Sequence, residues 1–376
     1  MTTKSIVSPE DQKVTFVELF FDLVFVFVVT QVVGLFHEEL SLITVGQAIL
    51  VFWLVWWAWT QFTWTLNTAD TTHSYIQLVV LVATGIAFFM AVALPRAFGD
   101  QSAWFGVTYV LVRLLGLTLS LWLTSTDPDQ GNTIRVFAIF SIGGLTAVLI
   151  GALIGGTVQL WLWGLAIALD VGAAAAGGLA EGLNLLPEHF SERHGLFIII
   201  ALGESLIVAA AGVAGTLDSS EIQPIAILAV AITGALWWSY FPRTKPLLDQ
   251  AVESGHGADQ VRLARDVFSI LHFPMVFGII AYAVTLEEVV LHPHEPLSLA
   301  GRVALAFGIL LFVGGMAVAV YRATHQILLP RAILVLVIAV AVMAFSGIGA
   351  AVTLGMALSG LIAMLLIEQR TIHSIH

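Results

Sequence analysis

Apolar runs of bilayer-spanning length follow one another along this chain with only short polar breaks between them. A spanning helix needs about 20 mostly apolar residues, and twelve spans can be drawn. Six lie in the first half, at about 15–36, 43–66, 74–95, 102–124, 134–152 and 157–180. Six lie in the second, at about 194–214, 222–241, 266–288, 299–321, 331–347 and 350–367. The last two are parted only by Ser346-Gly347-Ile348-Gly349, so eleven spans is the alternative count. The longest polar stretch, Phe241 to Asp266, is too short for a core of its own. The predicted class is an all-α polytopic membrane protein.

Composition agrees. Of 376 residues, 59% are hydrophobic and only 10% charged, against about a quarter charged in soluble domains. There is no cysteine, which removes disulfides, thiolate metal sites and cysteine nucleophiles. The net charge of −11 is scattered over many loops and carries no nucleic-acid signal. The first fourteen residues are polar, and the apolar run after them lacks a small-residue cleavage site. The first span is therefore expected to act as a retained signal anchor.

Basic residues orient the chain, because cytoplasmic loops carry the excess of Lys and Arg. With the N-terminus inside, the inner side holds Lys4, Lys13, Arg135, Arg193, Arg243, Lys245, Arg262, Arg265, Arg322, Arg331 and Arg370. The outer side holds only Arg96 and Arg302, and Arg113 falls mid-span. Glu38, Glu39, Asp218, Glu221, Glu287, Glu288 and Glu295 fall outside. Both termini are expected in the cytoplasm, with the chain in the cell's inner (cytoplasmic) membrane.

The halves look like a parallel duplication. Each has six spans, each first span carries an acid (Asp22 and Glu204), and each second span carries a tryptophan pair, Trp56-Trp57 and Trp237-Trp238. The predicted organisation is a cytoplasmic segment 1–14, a first repeat 15–180, a linker 181–193, a second repeat 194–367 and a tail 368–376. Transporters with internal repeats place their sites near mid-membrane at the repeat interface.

Charges inside apolar spans cost roughly 2.5–3.5 kcal/mol each on insertion scales and mark function by default. Glu18 and Asp22 are one helical turn apart and share a face. Thr30 is expected to continue that stripe outward, as a conduction path would require. Arg113 cannot be neutralised and needs a carboxylate. Asp22 and Glu204 rank first as its partner. Asp170 ranks last, since the small residues after it suit a tight helix crossing. The plainer reading of all these charges is a packing lock. His272 precedes Phe273-Pro274, where a freed carbonyl kinks the helix; gating and ordinary packing are its two readings. Asn67, Asp70, His73 and Gln77 read as a solvated turn. His292-Pro293-His294-Glu295, near Glu287 and Glu288, is too short and proline-broken to be assigned as a metal site. Among the tryptophans of the second span, Trp53 to Trp64, some suit interfacial anchoring and the rest helix packing. His189, Glu192, Arg193 and His194 fall at the cytoplasmic interface. They read as a solvated loop before a helix, or as a headgroup-facing acid–base set.

Two segments resemble a known family. Glu18-Leu19-Phe20-Phe21-Asp22-Leu23-Val24-Phe25-Val26 is similar to the opening signature of the bacterial low temperature requirement A family. His189-Phe190-Ser191-Glu192-Arg193-His194-Gly195-Leu196-Phe197, with Leu202-Gly203-Glu204-Ser205, is similar to its second signature. The resemblance implies an integral membrane protein linked to growth in the cold, and no settled activity. Glu18 through Thr30 also resembles the first helix of the two-repeat endolysosomal and bacterial potassium channels, where Phe21 replaces a serine. That likeness implies pores lined by each repeat's first helix.

The expected function is a channel or secondary transporter for protons, cations or a small solute, and not an enzyme. Its candidate residues are Glu18, Asp22, Arg113, Asp170, Glu204 and His272. The alternatives are a lipid-binding protein or enzyme acting at the cytoplasmic interface, and a cold-adaptation protein that transports nothing. Expected partners are the bilayer, an ion or small solute, and a second copy of the chain. No cofactor, metal or nucleic acid is expected.

Overall fold

A computed structural model describes residues 12–36, 41–125, 127–177, 185–213, 222–292 and 295–373. Lys4, Glu38, Glu39, Asp218, Glu221, Pro293 and His294, with the side chain of Arg370, lie outside the described residues.

Twelve helices run through them. They are α1 (Phe16–Gly34), α2 (Leu42–Asn67), α3 (Ser74–Arg96), α4 (Ser102–Leu123), α5 (Pro128–Ile154), α6 (Gly156–Gly177), α7 (Pro187–Val213), α8 (Ile222–Glu253), α9 (Gly257–Leu291), α10 (Leu299–Thr324), α11 (Leu329–Ala344) and α12 (Ala350–His373). Eleven are long and apolar enough to cross a bilayer. The exception, α11, has 16 residues. At 1.5 Å per residue it reaches about 24 Å, short of a hydrocarbon core of about 30 Å. Large apolar side chains left exposed on α1, α3, α4 and α11, such as Phe20, Phe89, Leu111 and Val340, suit contact with lipid.

Local chemistry fixes many helix ends. Ser41 and Ser298 accept the N–H of the residue three places on, capping α2 and α10. Pro187 and Pro128 open α7 and α5, where a missing N–H costs nothing. Gly155 and Gly156 turn α5 straight into α6 at φ of +74° and +61°, a left-handed conformation that glycine adopts without strain.

The chain divides into two compact units: residues 1–194 with 252–269, and 195–251 with 270–376. The first is built on α2. From Val51 to Leu66 nearly every side chain of α2 is buried, and α1, α4 and α6 pack on it. The second is built on α9 against α8 and α10, with α11 and α12 packed together and α12 also against α8. A close backbone crossing in it pairs Gly278 of α9 with Gly308 of α10. A Cβ on Gly278 would sit 2.6 Å from the Gly308 carbonyl oxygen, and one on Gly308 would sit 2.8 Å from that of Gly278. Small residues permit such backbone approach between membrane helices.

Several expectations need correction. The polar stretch from Phe241 to Asp266 is not a loop; it forms the end of α8 and the start of α9. Helix α7 begins at Pro187, not near residue 194. Thr30 lies on the exposed face of α1 and bonds the Val26 carbonyl, because eight residues past Asp22 a 3.6-residue helix has turned away. The tryptophan pairs are unlike: Trp56 and Trp57 are buried, whereas Trp237 and Trp238 are exposed. Arg331, counted among the inner-side basic residues, is buried within α11 and meets Glu368 with two nitrogens, at 2.7 and 3.0 Å.

The glycine crossing is testable. Gly308→Val, which drives a branched side chain into rigid backbone, should lower stability by about 1–3 kcal/mol or more, read as a drop in thermal midpoint of the detergent-solubilised protein. Gly234→Ala, where the Cβ meets open space, should leave the midpoint unchanged or raise it.

Candidate functional site

The site starts at the cap of α1. Thr15-Phe16-Val17-Glu18 has the form of a capping box that starts a helix, with Glu18 reaching back to the cap. Glu18 Oε2 accepts the Thr15 backbone N–H at 3.0 Å and its hydroxyl at 2.9 Å. One turn further, Asp22 is buried at 1% exposure. Its Oδ1 accepts the Trp59 indole N–H of α2 at 2.7 Å and a guanidinium N–H of Arg193.

Arg193 and its neighbours come from the first turns of α7. His189 and Arg193 are one turn apart, so they face α1 as a matching pair. His189 Nε2 lies 3.0 Å from Glu18 Oε1, and Arg193 reaches both Glu18, at 3.5 Å, and Asp22. The Arg193 guanidinium also lies 5.6 Å from the Trp59 ring centre, within cation–π range. His194 donates from Nδ1 to the Phe190 carbonyl at 2.8 Å and stands edge-on to Trp59.

Asn67, at the end of α2, sets the protonation of His189. Asn67 Oδ1 accepts the Leu186 N–H at 2.8 Å, so the amide orientation is fixed. Its Nδ2 then donates to the Leu186 carbonyl and to His189 Nδ1, at 3.0 and 3.2 Å. A ring nitrogen that accepts carries no proton. His189 is therefore the neutral tautomer with its proton on Nε2, toward Glu18. The turn read as solvated supplies a buried orienting group.

A second buried pair lies in the same unit. Arg113 meets Asp170 with two nitrogens, at 2.9 and 3.1 Å, and also donates to Tyr109 Oη at 2.7 Å and Ser141 Oγ at 3.2 Å. The partner ranked last on sequence is the one used. Asp22 is taken by Arg193 instead, so Asp22 and Arg113 are not joined. Glu204 and His272 belong to the second unit, where both are buried. His272 Nε2 is 2.7 Å from Tyr240 Oη. Of the interface motif, His189, Arg193 and His194 are turned inward and buried, and Glu192 alone is exposed.

Glu288 accepts the Ser298 backbone N–H at 2.6 Å and its hydroxyl at 3.1 Å, and so works as a helix-start cap. Among the described residues no group of three or more metal-ligating side chains occurs.

Sequence reasoning missed Thr15, Trp59, Asn67 and the burial of Arg193. The capping pattern at Thr15 and Glu18 was visible. The pairing of α1 with α7 carried one further signal: both segments show charged or imidazole groups spaced one turn apart.

An apolar twelve-helix chain with buried ion pairs between helices is an integral, multi-pass, all-α membrane protein. The sequence model for the bacterial low temperature requirement A protein matches residues 13–367. The chain belongs to that family, and the two segments that build the Glu18–Asp22–His189–Arg193 cluster are the two that carry the resemblance. It is also similar to an uncharacterized protein of Rhizobium meliloti (strain 1021), 27% identical over 321 residues, covering 81% of this chain and 76% of the relative. No solved structure matches.

Breaking a buried pair by removing one partner typically costs about 3–5 kcal/mol, whereas replacing both with apolar groups is often neutral. Arg113→Leu alone should therefore sharply lower the thermal midpoint of the purified protein, and Arg113→Leu combined with Asp170→Leu should restore most of it.

Proposed function

We propose that this protein is a channel or secondary transporter for protons, monovalent cations or a small solute, and that Asp22 is its exchangeable charge. The observation that carries the reading is the charge count of one buried cluster. Glu18 and Asp22 bring two negative charges, Arg193 brings one positive charge, and Asn67 holds His189 neutral. One negative charge is left over where charge burial is costly. Glu18 accepts from Thr15 through Oε2, and its Oε1, without a hydrogen bond of its own, lies 3.0 Å from His189 Nε2 and 3.5 Å from an Arg193 nitrogen. Asp22 has both its hydrogen bonds on Oδ1, and its buried Oδ2 has no hydrogen-bond partner among the described residues. That bare oxygen is where a proton or a small cation restores neutrality.

Gain and loss of one charge at such a position is what proton relays and coupled transporters use. With α11 counted as a short twelfth crossing over a locally thinned bilayer, the asymmetry of basic residues supports an inner-membrane protein with both termini in the cytoplasm, which puts the cluster near the cytoplasmic ends of α1 and α7. We read the protein as a transporter rather than an enzyme. With His189, Arg193 and His194 turned inward, no observation favours headgroup chemistry.

Reconstitution tests the reading. Purified protein in liposomes loaded with a pH dye, with fluorescent Na⁺ and K⁺ reporters in parallel, is challenged with H⁺, Na⁺ and K⁺ gradients in turn. The wild type should dissipate at least one. Asp22→Asn, which keeps the shape and removes the titratable charge, should reduce that flux at least tenfold, while Glu192→Gln should leave it intact. Flux under no gradient, or undiminished flux in Asp22→Asn, overturns the reading.

A further inference from the structure

The first unit contains a cavity of about 110 Å³ on the other side of α2 from the carboxylate cluster. Residues of α2, α4, α5, α6 and the start of α9 line it, all within that unit. Its size is of the order of the engineered cavity of about 150 Å³ that takes up benzene.

The walls are mostly carbon, with Trp57, Trp64 and Phe137 supplying aromatic faces. Hydroxyl groups are also frequent there, but most are already spent within the protein. Thr65 and Ser120 lie 2.6 Å apart, so that one donates to the other and the acceptor spends its own proton on its helix carbonyl. Thr124 bonds the Ser120 carbonyl, Thr68 bonds that of Thr65, and Ser269 accepts the Trp64 indole. Arg265 also lines the space, and its charge is met by Asp266 at 2.6 Å and by the Ala174 carbonyl at 3.0 Å.

Three lining side chains are different. Trp57 Nε1, Thr60 Oγ1 and Gln61 Oε1 are buried polar atoms with no hydrogen-bond partner among the described residues, on side chains only 2–5% exposed. A buried donor or acceptor left unmade costs about 1–3 kcal/mol. Three within little more than one turn of one helix, on residues that line one cavity, ask for a common occupant. They offer a donor, an acceptor and a hydroxyl that can be either. The neutralised Arg265 leaves no net charge to attract an ion.

We propose that this cavity binds a small uncharged molecule with an apolar, ring-sized body and a hydroxyl or amide group. The group would pair with Trp57, Thr60 and Gln61 while the body packs on Trp64 and Phe137. The inference stands on the cavity and those three atoms and does not require transport.

The probe is 4-fluorophenol, followed by fluorine NMR on the full-length protein in detergent, with fluorobenzene as the probe lacking the hydroxyl and empty micelles as background. Saturable binding of 4-fluorophenol is expected, with fluorobenzene at least fivefold weaker. Thr60→Val keeps the shape and deletes one hydroxyl, and should weaken binding about fivefold. Ala174→Phe, which fills the space, should abolish it. If Ala174→Phe does not fold, Thr60→Val still decides. Signal that never rises above the micelle background shows a cavity holding water only and overturns the proposal. So does equal affinity for the two probes, or 4-fluorophenol binding that Thr60→Val leaves unchanged.

Discussion

A carboxylate inside a bundle of apolar helices must find a donor inside that bundle, since no water at that depth will replace it. Glu18 and Asp22 impose this demand on the first unit. They are met by a two-rung ladder in which α1 and the start of α7 run side by side, Glu18 beside His189 and Asp22 beside Arg193. Neither pair forms without the other helix in register. A slip of α7 by one residue would turn both donors away by about 100°. The ladder thus fixes where α7 begins, and Asn67 fixes the same point again by holding Leu186, immediately before the helix. Indole, amide and guanidinium groups converge here because each is a donor that survives burial.

The membrane class, the number of apolar segments and the two acids on α1 were legible because each is a local contrast: charge against apolar surroundings needs no tertiary knowledge. The partners were not. Arg193 lies beside a polar break, so position along the chain made it look like a loop residue, and Arg331, at the edge of its span, showed no sign of its buried partner Glu368. Burial depends on where a helix starts, and Pro187 starts α7 earlier than hydropathy indicates, since His189, Glu192 and Arg193 depress the hydropathy of a true helical turn. Asn67 looked like a turn residue for the same reason. Arg113 needed a partner on electrostatic grounds alone, but which acid it met depended on the packing of α4 with α5 and α6, to which one-dimensional spacing is blind.

Donors satisfy broken helix geometry in both units. Helix α9 widens into a π segment at Arg265–Ile270, and the Ser269 carbonyl there accepts the Trp56 indole at 2.7 Å. Helix α8 does the same at Tyr240–Thr244, around Pro242, where Thr244 Oγ1 donates to the Ser239 carbonyl and accepts from Arg331. A π turn disturbs the regular ladder and is tolerated where side chains meet its displaced carbonyls. The tryptophans of α2 are therefore more than packing volume: Trp56, Trp59 and Trp64 each spend their one N–H on a defined acceptor.

That leaves α2 with two chemically distinct faces. Successive residues on a helix point about 100° apart, so Trp59 addresses Asp22 while Thr60 and Gln61, directly after it, address the cavity. The helix is too thoroughly buried to absorb a change on one face without passing it to the other, because close-packed interiors transmit strain. Loss of the Asp22 charge weakens its bond to the Trp59 indole, since hydrogen bonds to an ionised group are about twice as strong as neutral ones. A proton at Asp22 is therefore felt by the helix that shapes the cavity as well as by Arg193 of α7. Asp22 and the cavity, on opposite faces of one buried helix, need no longer pathway than that to influence each other.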